Sequence, residues 1–368
     1  MLGSIFTKAG YKTGTYFSPQ VEEFSERIRV NGKNVTEREI AEAYARVSEA
    51  CRSHGIEATF FEVVTAMALL VFSVRKADYA VLEVGLGGRL DATNAVRPEL
   101  SAITSISLEH TEILGNTLAK IAREKCGVSR KGKFLVCGHL PPEAKRAIAA
   151  ACQKKGAKPI FTQDEAKISH LRKKNSTYSF KAAFRGKAYS ISLFASGIFQ
   201  VKNALCALSA ASLLKISKSA IERGLAEAKP KFRLQKISSY PEVIADCAHN
   251  PEAAAAMSAE LPQLLFRKKS TLLFSAMSDK NYEKTLAILA KHFDRVVLTE
   301  VTLSRSASLF ELKSAAKKSG VAPICIKRPK AAFFKAKFLS GKSGVVVVAG
   351  SMYLLSELFG RDKIRIAQ

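Results

Sequence analysis

The chain has 368 residues, 47% of them hydrophobic, a formal net charge of +26 and seven cysteines. That length exceeds the usual size of one core, so a soluble globular protein of two domains is expected, and no run of about 18 apolar residues offers a membrane span. The charge favours polyanionic partners (nucleotides, polyglutamates, nucleic acid or anionic membrane surfaces) without choosing among them. The start, Met1-Leu2-Gly3-Ser4, lacks the features of a signal peptide, and Cys51, Cys126, Cys137, Cys152, Cys206, Cys247 and Cys325 contain no C-x-x-C pair. A cytoplasmic protein with reduced thiols is expected, not a zinc ribbon or a secreted disulfide framework.

In chain order, Thr36 and Glu39 have the spacing of a capping box that opens a helix over 36–53, and a second, apolar helix follows at 60–75. Residues 79–84 are a short apolar run ending in glycines, the pattern of a buried parallel strand, and 100–107 reads as the next. Helical patterns at 117–125 and 142–154 flank a strand at 134–137, an alternation that predicts a parallel sheet with crossover helices, whereas 178–194 alternates as antiparallel strands do. A Lys-Pro-Lys stretch at 229–231 marks the boundary between a first domain, 1–228, and a second, 229–368. Beyond it strands at 243–246, 271–274, 295–299 and 345–349 interleave with helices at 251–261, 309–318 and 351–359, a separate α/β domain. Basic residues recur at 171–175 and 326–330 instead of forming one tract, and read as solvated faces.

Four segments could carry chemistry. In Leu82-Glu83-Val84-Gly85-Leu86-Gly87-Gly88-Arg89-Leu90-Asp91-Ala92-Thr93-Asn94 a carboxylate ends a buried strand and glycines allow close backbone approach; ligands of open α/β sheets bind at such strand ends. The pattern G-x-G-x-x-G is not met, because position 90 is Leu, and the glycines also suit a tight strand exit. Ser107-Leu108-Glu109-His110-Thr111 follows the next strand, so Glu83 and His110 together suggest a divalent metal site. A carboxylate suits Mg²⁺, while imidazole is unusual for it and is often structural. Lys125 closes the helical Ile121-Ala122-Arg123-Glu124-Lys125, where a solvated charge run is equally consistent. Finally, Asp246 ends a strand ahead of His249, and Asn250-Pro251 has the form of an N-cap and N1 pair. Gly341-Lys342-Ser343 mimics the end of a phosphate loop, but position 336 is Ala and a strand follows, so a surface turn is expected.

Together with Tyr16-Phe17-Ser18-Pro19, Arg27-Ile28-Arg29-Val30-Asn31-Gly32, Thr59-Phe60-Phe61-Glu62, Gln200-Val201-Lys202-Asn203, Phe232-Arg233-Leu234, Asp279-Lys280-Asn281-Tyr282 and Ala349-Gly350-Ser351-Met352-Tyr353, these segments are collinear over nearly the whole chain. In that order they resemble the folylpolyglutamate synthase / dihydrofolate synthase family of the Mur ligase superfamily. The resemblance implies a P-loop ATPase domain, mostly a parallel sheet with helices on both faces plus a small antiparallel sheet, then a Rossmann-like domain, with ATP and Mg²⁺ in the cleft between them. It implies phosphorylation of a folate or dihydropteroate carboxylate by ATP and attack of glutamate on the acyl phosphate, chemistry that rests on positioning and charge neutralisation.

By that resemblance Ser18, Glu83 and His110 are metal residues, Lys125 is carbamylated, Asn203, Arg233 and Asp246 contact the nucleotide, and His249 lies near the reaction centre. Thr59, Phe60, Phe61, Glu62, Leu90, Asp91 and Ala92 correspond to the pterin-binding segments. The expected partners are these small molecules, without membrane or nucleic acid, and the expected state is a monomer. The family's G-T-N-G-K-G-S loop belongs a few residues before Met1; a polypeptide that starts at Met1 is expected to bind ATP poorly, and a start codon further upstream is expected. Smaller departures are Gln20 for a usual His, Cys247 for Gly, and Phe232 for Gly. Two other readings stay open: a Mur-type ligase acting on a different acid, and a non-catalytic, basic nucleic-acid-binding derivative of the fold.

Overall fold

Thr36 and Glu39 exchange the reciprocal bonds of a capping box ahead of the helix Glu37–Ser53, and Thr59 and Glu62 repeat the device ahead of Phe60–Val74. In the computed structural model, which describes residues 1–174, 176–195 and 197–360, these helices belong to the first of two compact units. Asn175, in one of the basic segments, lies outside the described residues. The first unit comprises Met1–Gln20, Ser25–Phe194 and Gln200–Lys229; the second comprises Val21–Phe24, Ala195–Phe199 and the residues from Pro230 onward. Among the described residues no helix is long and apolar enough to cross a membrane.

The first unit distributes its strands over three sheets. One is mixed: Thr13–Tyr16 pairs antiparallel with Ile28–Val30 and parallel with Tyr79–Leu82, and Lys33–Asn34 extends the antiparallel edge. A second is parallel, Leu100–Ile103, Phe134–Cys137 and Lys158–Phe161. Its core gathers Leu135, Cys137, Ile121, Ile148 and Cys152. The third is the antiparallel meander Ala166–Lys174, Thr177–Phe184 and Lys187–Phe194. Among the described residues Tyr79–Leu82 and Leu100–Ile103 each pair on one side only, and despite their apolar composition Ala80 and Ala102 are exposed.

The second unit is a six-stranded sheet in the order Gln235–Ser239, Glu242–Ala245, Val345–Ala349, Ser270–Phe274, Arg295–Leu298, Ile324–Cys325, parallel except for the first strand. Its two central strands, Val345–Ala349 and Ser270–Phe274, are buried at every residue because both faces are covered, and the first reads as an unbroken apolar run. Val345 and Val347 join Leu272 and Phe274 in one core, while Val346 and Val348 join Leu273 in the other. Gly341 closes the helix Pro329–Ser340 at an exposed turn with φ +69, and the strand Val345–Ala349 follows. The helix read at 251–261 divides into Pro251–Ser258 and Leu261–Leu265, the second with Pro262 in its first turn, where proline's missing N–H costs nothing.

Candidate functional site

Two parallel neighbours carry the first pair of site residues. Tyr16 lies opposite Leu82, so the chain leaves both strands at their carboxyl ends side by side. There the Ser18 N–H donates to Glu83 Oε2 at 3.2 Å, and the Glu83 N–H donates to the Tyr16 carbonyl at 2.9 Å. The structure thus brings Ser18 and Glu83 together, with the Glu83 side chain exposed.

After Glu83 the glycine-rich loop is folded around Asp91. Its Oδ2 accepts from Gly85 N–H (3.0 Å) and Leu86 N–H (2.9 Å), and its Oδ1 accepts from Thr93 N–H (3.0 Å) and Thr93 Oγ1 (2.6 Å). Asp91 therefore organises the loop as well as lying beside the cavity described below. The loop packs on the carboxyl end of the helix Leu118–Lys125: Arg89 N–H donates to the Glu124 carbonyl and Arg89 Nε faces the Glu124 carboxylate at 3.2 Å. Glycine is required at this contact, since a Cβ on Gly127 would lie 2.2 Å from Arg89 Cα and one on Gly88 would lie 2.8 Å from the Lys125 carbonyl. Lys125 is thereby fixed beside the loop, half-buried, and its ammonium makes no ion pair among the described residues.

The segments expected to bind a pterin converge. Thr59, Phe61 and Glu62 share with Leu90, Asp91 and Ala92 the lining of an open cavity of about 380 Å³. Thr59 and Glu62 also cap their helix. Phe61 packs on Tyr16 with ring centroids 5.9 Å apart, and a Cβ at Gly85 would strike the Phe61 ring. Phe60 stands under Arg27, whose guanidinium lies 5.3 Å from the ring centroid and whose Nε donates to Gln20 Oε1. The amide oxygen of Gln20 accepts here as a neutral imidazole nitrogen can, which rationalises that departure. Sequence reasoning did not single out Ile113 and Leu114, which line the same cavity with the glycine loop and Glu124. Leu90 and Ile113 are 81% and 68% exposed, so the cavity has an apolar rim; the signal available in the sequence was a hydrophobic pair, Ile113-Leu114, in an otherwise polar turn.

His110 sits past the parallel strand Leu100–Ile103 and precedes the short helix Thr111–Leu114 in a left-handed conformation, φ 49 and ψ 42. Such strain in a residue other than glycine concentrates at functional sites. Among the described residues no three His, Cys, Asp or Glu side chains gather into a metal-ligand cluster. Glu83 and Ser18 carry oxygen donors at one strand end, a chemistry that suits Mg²⁺, which takes one or two protein oxygens and completes its shell with phosphates and water, better than zinc.

In the second unit Asp246, 4% exposed, accepts from Leu234 N–H and Ala248 N–H, both at 2.7 Å. Burial raises its carboxyl above the ordinary range, opposed by Arg233, by those two donors and by His249. A raised folded value means that Asp246's contribution to stability is complete below its ordinary value of 3.8 and is lost as pH rises through the folded value. Accordingly, the stability of the wild type relative to Asp246→Asn should fall as pH rises from about 4 towards 7. Urea unfolding of both proteins across that range checks it, and a constant or rising difference refutes it. His249 Nδ1 lies 2.9 Å from the Cys247 carbonyl, which can only accept, so Nδ1 carries a proton and Nε2 is the ring nitrogen left to exchange one. Asn250 caps Pro251–Ser258 through Ala253 N–H at 2.7 Å.

Arg233 is exposed between two left-handed residues, Phe232 (φ 52) and Leu234 (φ 50). Glycine adopts that geometry freely, which explains why Phe232 is a departure, and its burial at 2% exposure, stacked 6.3 Å from Phe359, offsets the strain. Phe232→Gly should relieve about 1–2 kcal/mol of strain and lose about 3–5 kcal/mol of packing, for a net loss of roughly 2 kcal/mol. A variant as stable as the wild type in chemical denaturation would show that strain dominates. The Cys247 thiol, the other departure, is buried and pushed up to about 12. Asn203 is half-buried in Ile198–Leu213 and donates to Gln200 Oε1 at 3.4 Å. It belongs to the first unit, and Arg233, Asp246 and His249 to the second.

The chain matches the Mur ligase middle domain over residues 30–211 and the Mur ligase glutamate ligase domain over residues 232–352. It is 32% identical to the dihydrofolate synthase/folylpolyglutamate synthase of Buchnera aphidicola subsp. Acyrthosiphon pisum, over 97% of this chain and 84% of that protein. The folylpolyglutamate synthase of Mycobacterium tuberculosis, solved with ADP and AMPPCP, superposes with a TM-score of 0.91 at 27% identity, covering 98% of this chain and 88% of that one. The bifunctional folylpolyglutamate synthase/dihydrofolate synthase of Yersinia pestis, solved with AMPPNP and a Mn ion, gives a TM-score of 0.86 at 32% identity, covering 97% and 83%.

Proposed function

The chain belongs to the Mur ligase family, among the folylpolyglutamate/dihydrofolate synthases, and from that premise we propose that it is an ATP- and Mg²⁺-dependent ligase that adds L-glutamate to a folate, to dihydropteroate, or to both. What most supports this reading is the cavity in which Thr59, Phe61 and Glu62 meet Leu90, Asp91 and Ala92, apolar at the rim as a flat pteridine requires. In the reaction the acceptor's carboxylate is phosphorylated by ATP, and the glutamate amine displaces phosphate from the acyl phosphate. Bound Mg²⁺ supplies charge neutralisation on the phosphates. Glu83, with Ser18 beside it, would hold that ion together with His110, while Asn203, Arg233 and Asp246 hold the nucleotide. His249, with Nδ1 tied to the Cys247 carbonyl, offers Nε2 to the reacting groups. The domain assignment, 1–228 and 229–368, belongs to the same reading, as do a cytoplasmic location and a monomer. An acceptor labelled with ¹⁸O in its carboxylate tests the route: one label must appear in released phosphate, and unlabelled phosphate would exclude an acyl phosphate.

Lys125 is the carbamylation site of this reading. Its ammonium makes no ion pair among the described residues, and carbamylation turns it into an anion that can support the metal. Protein depleted of CO₂ should lose most of its activity and regain it with bicarbonate, whereas Lys125→Arg should be about a hundredfold less active and unresponsive. Equal activity with and without bicarbonate would remove the carbamate from the mechanism.

A further inference from the structure

The antiparallel meander of the first unit has one face that the ligase reading does not use. Tyr178, Phe180, Ala182, Phe184, Tyr189, Ile191 and Leu193 are buried on the other side, so the alternate residues of the same strands face outward. The register lines these up in rows. Arg172 lies opposite Ser179, and Ser179 opposite Ser192; two residues along, Ser169 lies opposite Lys181, and Lys181 opposite Ser190. The register shifts between Ser169 and Arg172, and His170 takes a φ of +55 within the shift. A bulge of this kind re-aims a side chain. His170 shares with Arg172, Lys181, Ser179, Ser190 and Ser192 the lining of an open depression of about 380 Å³ that contains no carboxylate.

We propose that this face is a binding site for an oligoanionic chain, and that its occupant is the oligo-γ-glutamyl part of the product. The choice of occupant rests on the ligase reading. Neither Arg172 nor Lys181 has an ion pair among the described residues, so both cations are available to a ligand. Protection of a sheet edge accounts for basic residues on the outer strand Ala166–Lys174. It does not account for Lys181, which stands on the central strand, or for the absence of acid from the lining. The Glu222 carboxylate reaches only the edge of the meander, where it accepts from Ser190 N–H. Successive rows are about 7 Å apart, two residues of a strand. An extended γ-linked glutamyl residue repeats every ~6 Å by its bond lengths, so consecutive carboxylates can meet consecutive rows, with the serine hydroxyls as further donors.

The test is fluorescence anisotropy of labelled tetra-γ-glutamate with the full chain. The wild type should bind it more tightly than labelled monoglutamate and weaken as salt rises towards about 0.5 M. Arg172→Glu with Lys181→Glu should weaken binding at least tenfold, while an equal charge change at two exposed residues of the second unit, Lys327→Glu with Lys330→Glu, changes it less than twofold. Both pairs are exposed, so thermal melting should show unaltered folding; Arg172→Gln with Lys181→Gln serves if the reversal does not fold. Absence of binding, equal loss in the control variant, or tenfold tighter binding of a single-stranded RNA of the same charge would overturn the proposal, the last by assigning the face to nucleic acid. Failure of the ligase reading appears separately, as no glutamate-dependent ADP release by the wild type, which the anisotropy measurement does not depend on.

Discussion

Glu83→Gln should lower glutamate-dependent ADP release of the full gene product by about a hundred- to a thousandfold, the loss typical of a group that stabilises charge in the transition state. The substitution is nearly isosteric. Its amide oxygen still accepts from Ser18 N–H, and the strand-end contact between Glu83 N–H and the Tyr16 carbonyl is unchanged. What disappears is the negative charge that the proposed function assigns to Mg²⁺, and among the described residues no group of three or more His, Cys, Asp or Glu gathers to hold a metal in its place. The melting temperature should therefore stay within a few degrees of the wild type while the requirement for Mg²⁺ rises. Activity within tenfold of the wild type at ordinary Mg²⁺ would remove Glu83 from the metal site.

The largest expected effect on stability comes from a residue with no side chain. A methyl group on Gly127 would stand 2.2 Å from Arg89 Cα and 2.4 Å from Arg89 N, backbone atoms that cannot swing aside. Gly127→Ala should cost roughly 3 kcal/mol or more, at the upper end of overpacking effects, and should lower activity because Lys125 and the glycine loop are displaced together. Gly132→Ala is the comparison: φ is +75 but nothing lies within 4 Å, so only the conformational cost of about 1 kcal/mol applies. Denaturation midpoints that move equally for the two variants would show that the Gly127 contact is not tight in solution.

Much of the fold was readable because its strands are local statements. Phe134–Cys137 and Val345–Ala349 were delimited by unbroken apolar runs, and Glu37–Ser53 by the capping pair Thr36 and Glu39. The strand read at 79–84 ends at Leu82, because Glu83 turns out of the ladder to meet Ser18. Thr13–Tyr16 escaped notice: its glycine, Gly14, looks like a turn signal, yet it is required because a Cβ there would meet the Phe72 ring. The division of the parallel strands between two sheets is also not local information, since each strand carries the same apolar pattern whichever neighbour it finds.

The candidate site was legible as motifs but not as contacts. Reading the glycine loop alone gave a strand exit, whereas Gly88 and Gly127 are explained by packing between segments about 40 residues apart. Asp91, expected beside a pterin, also binds four donors of its own loop, and nothing in its spacing distinguishes the two duties. The left-handed conformations of His110, Phe232 and Leu234 likewise have no signature in residue type, because none is a glycine or an asparagine.

The most direct test of the account is ADP release by the full gene product with ATP and Mg²⁺, measured with and without L-glutamate and with and without dihydropteroate or a reduced folate. ADP should appear only when both substrates are present, with one glutamyl residue added per ADP. Release that proceeds without either substrate, or that requires a different acid or amino acid, would contradict the ligase reading.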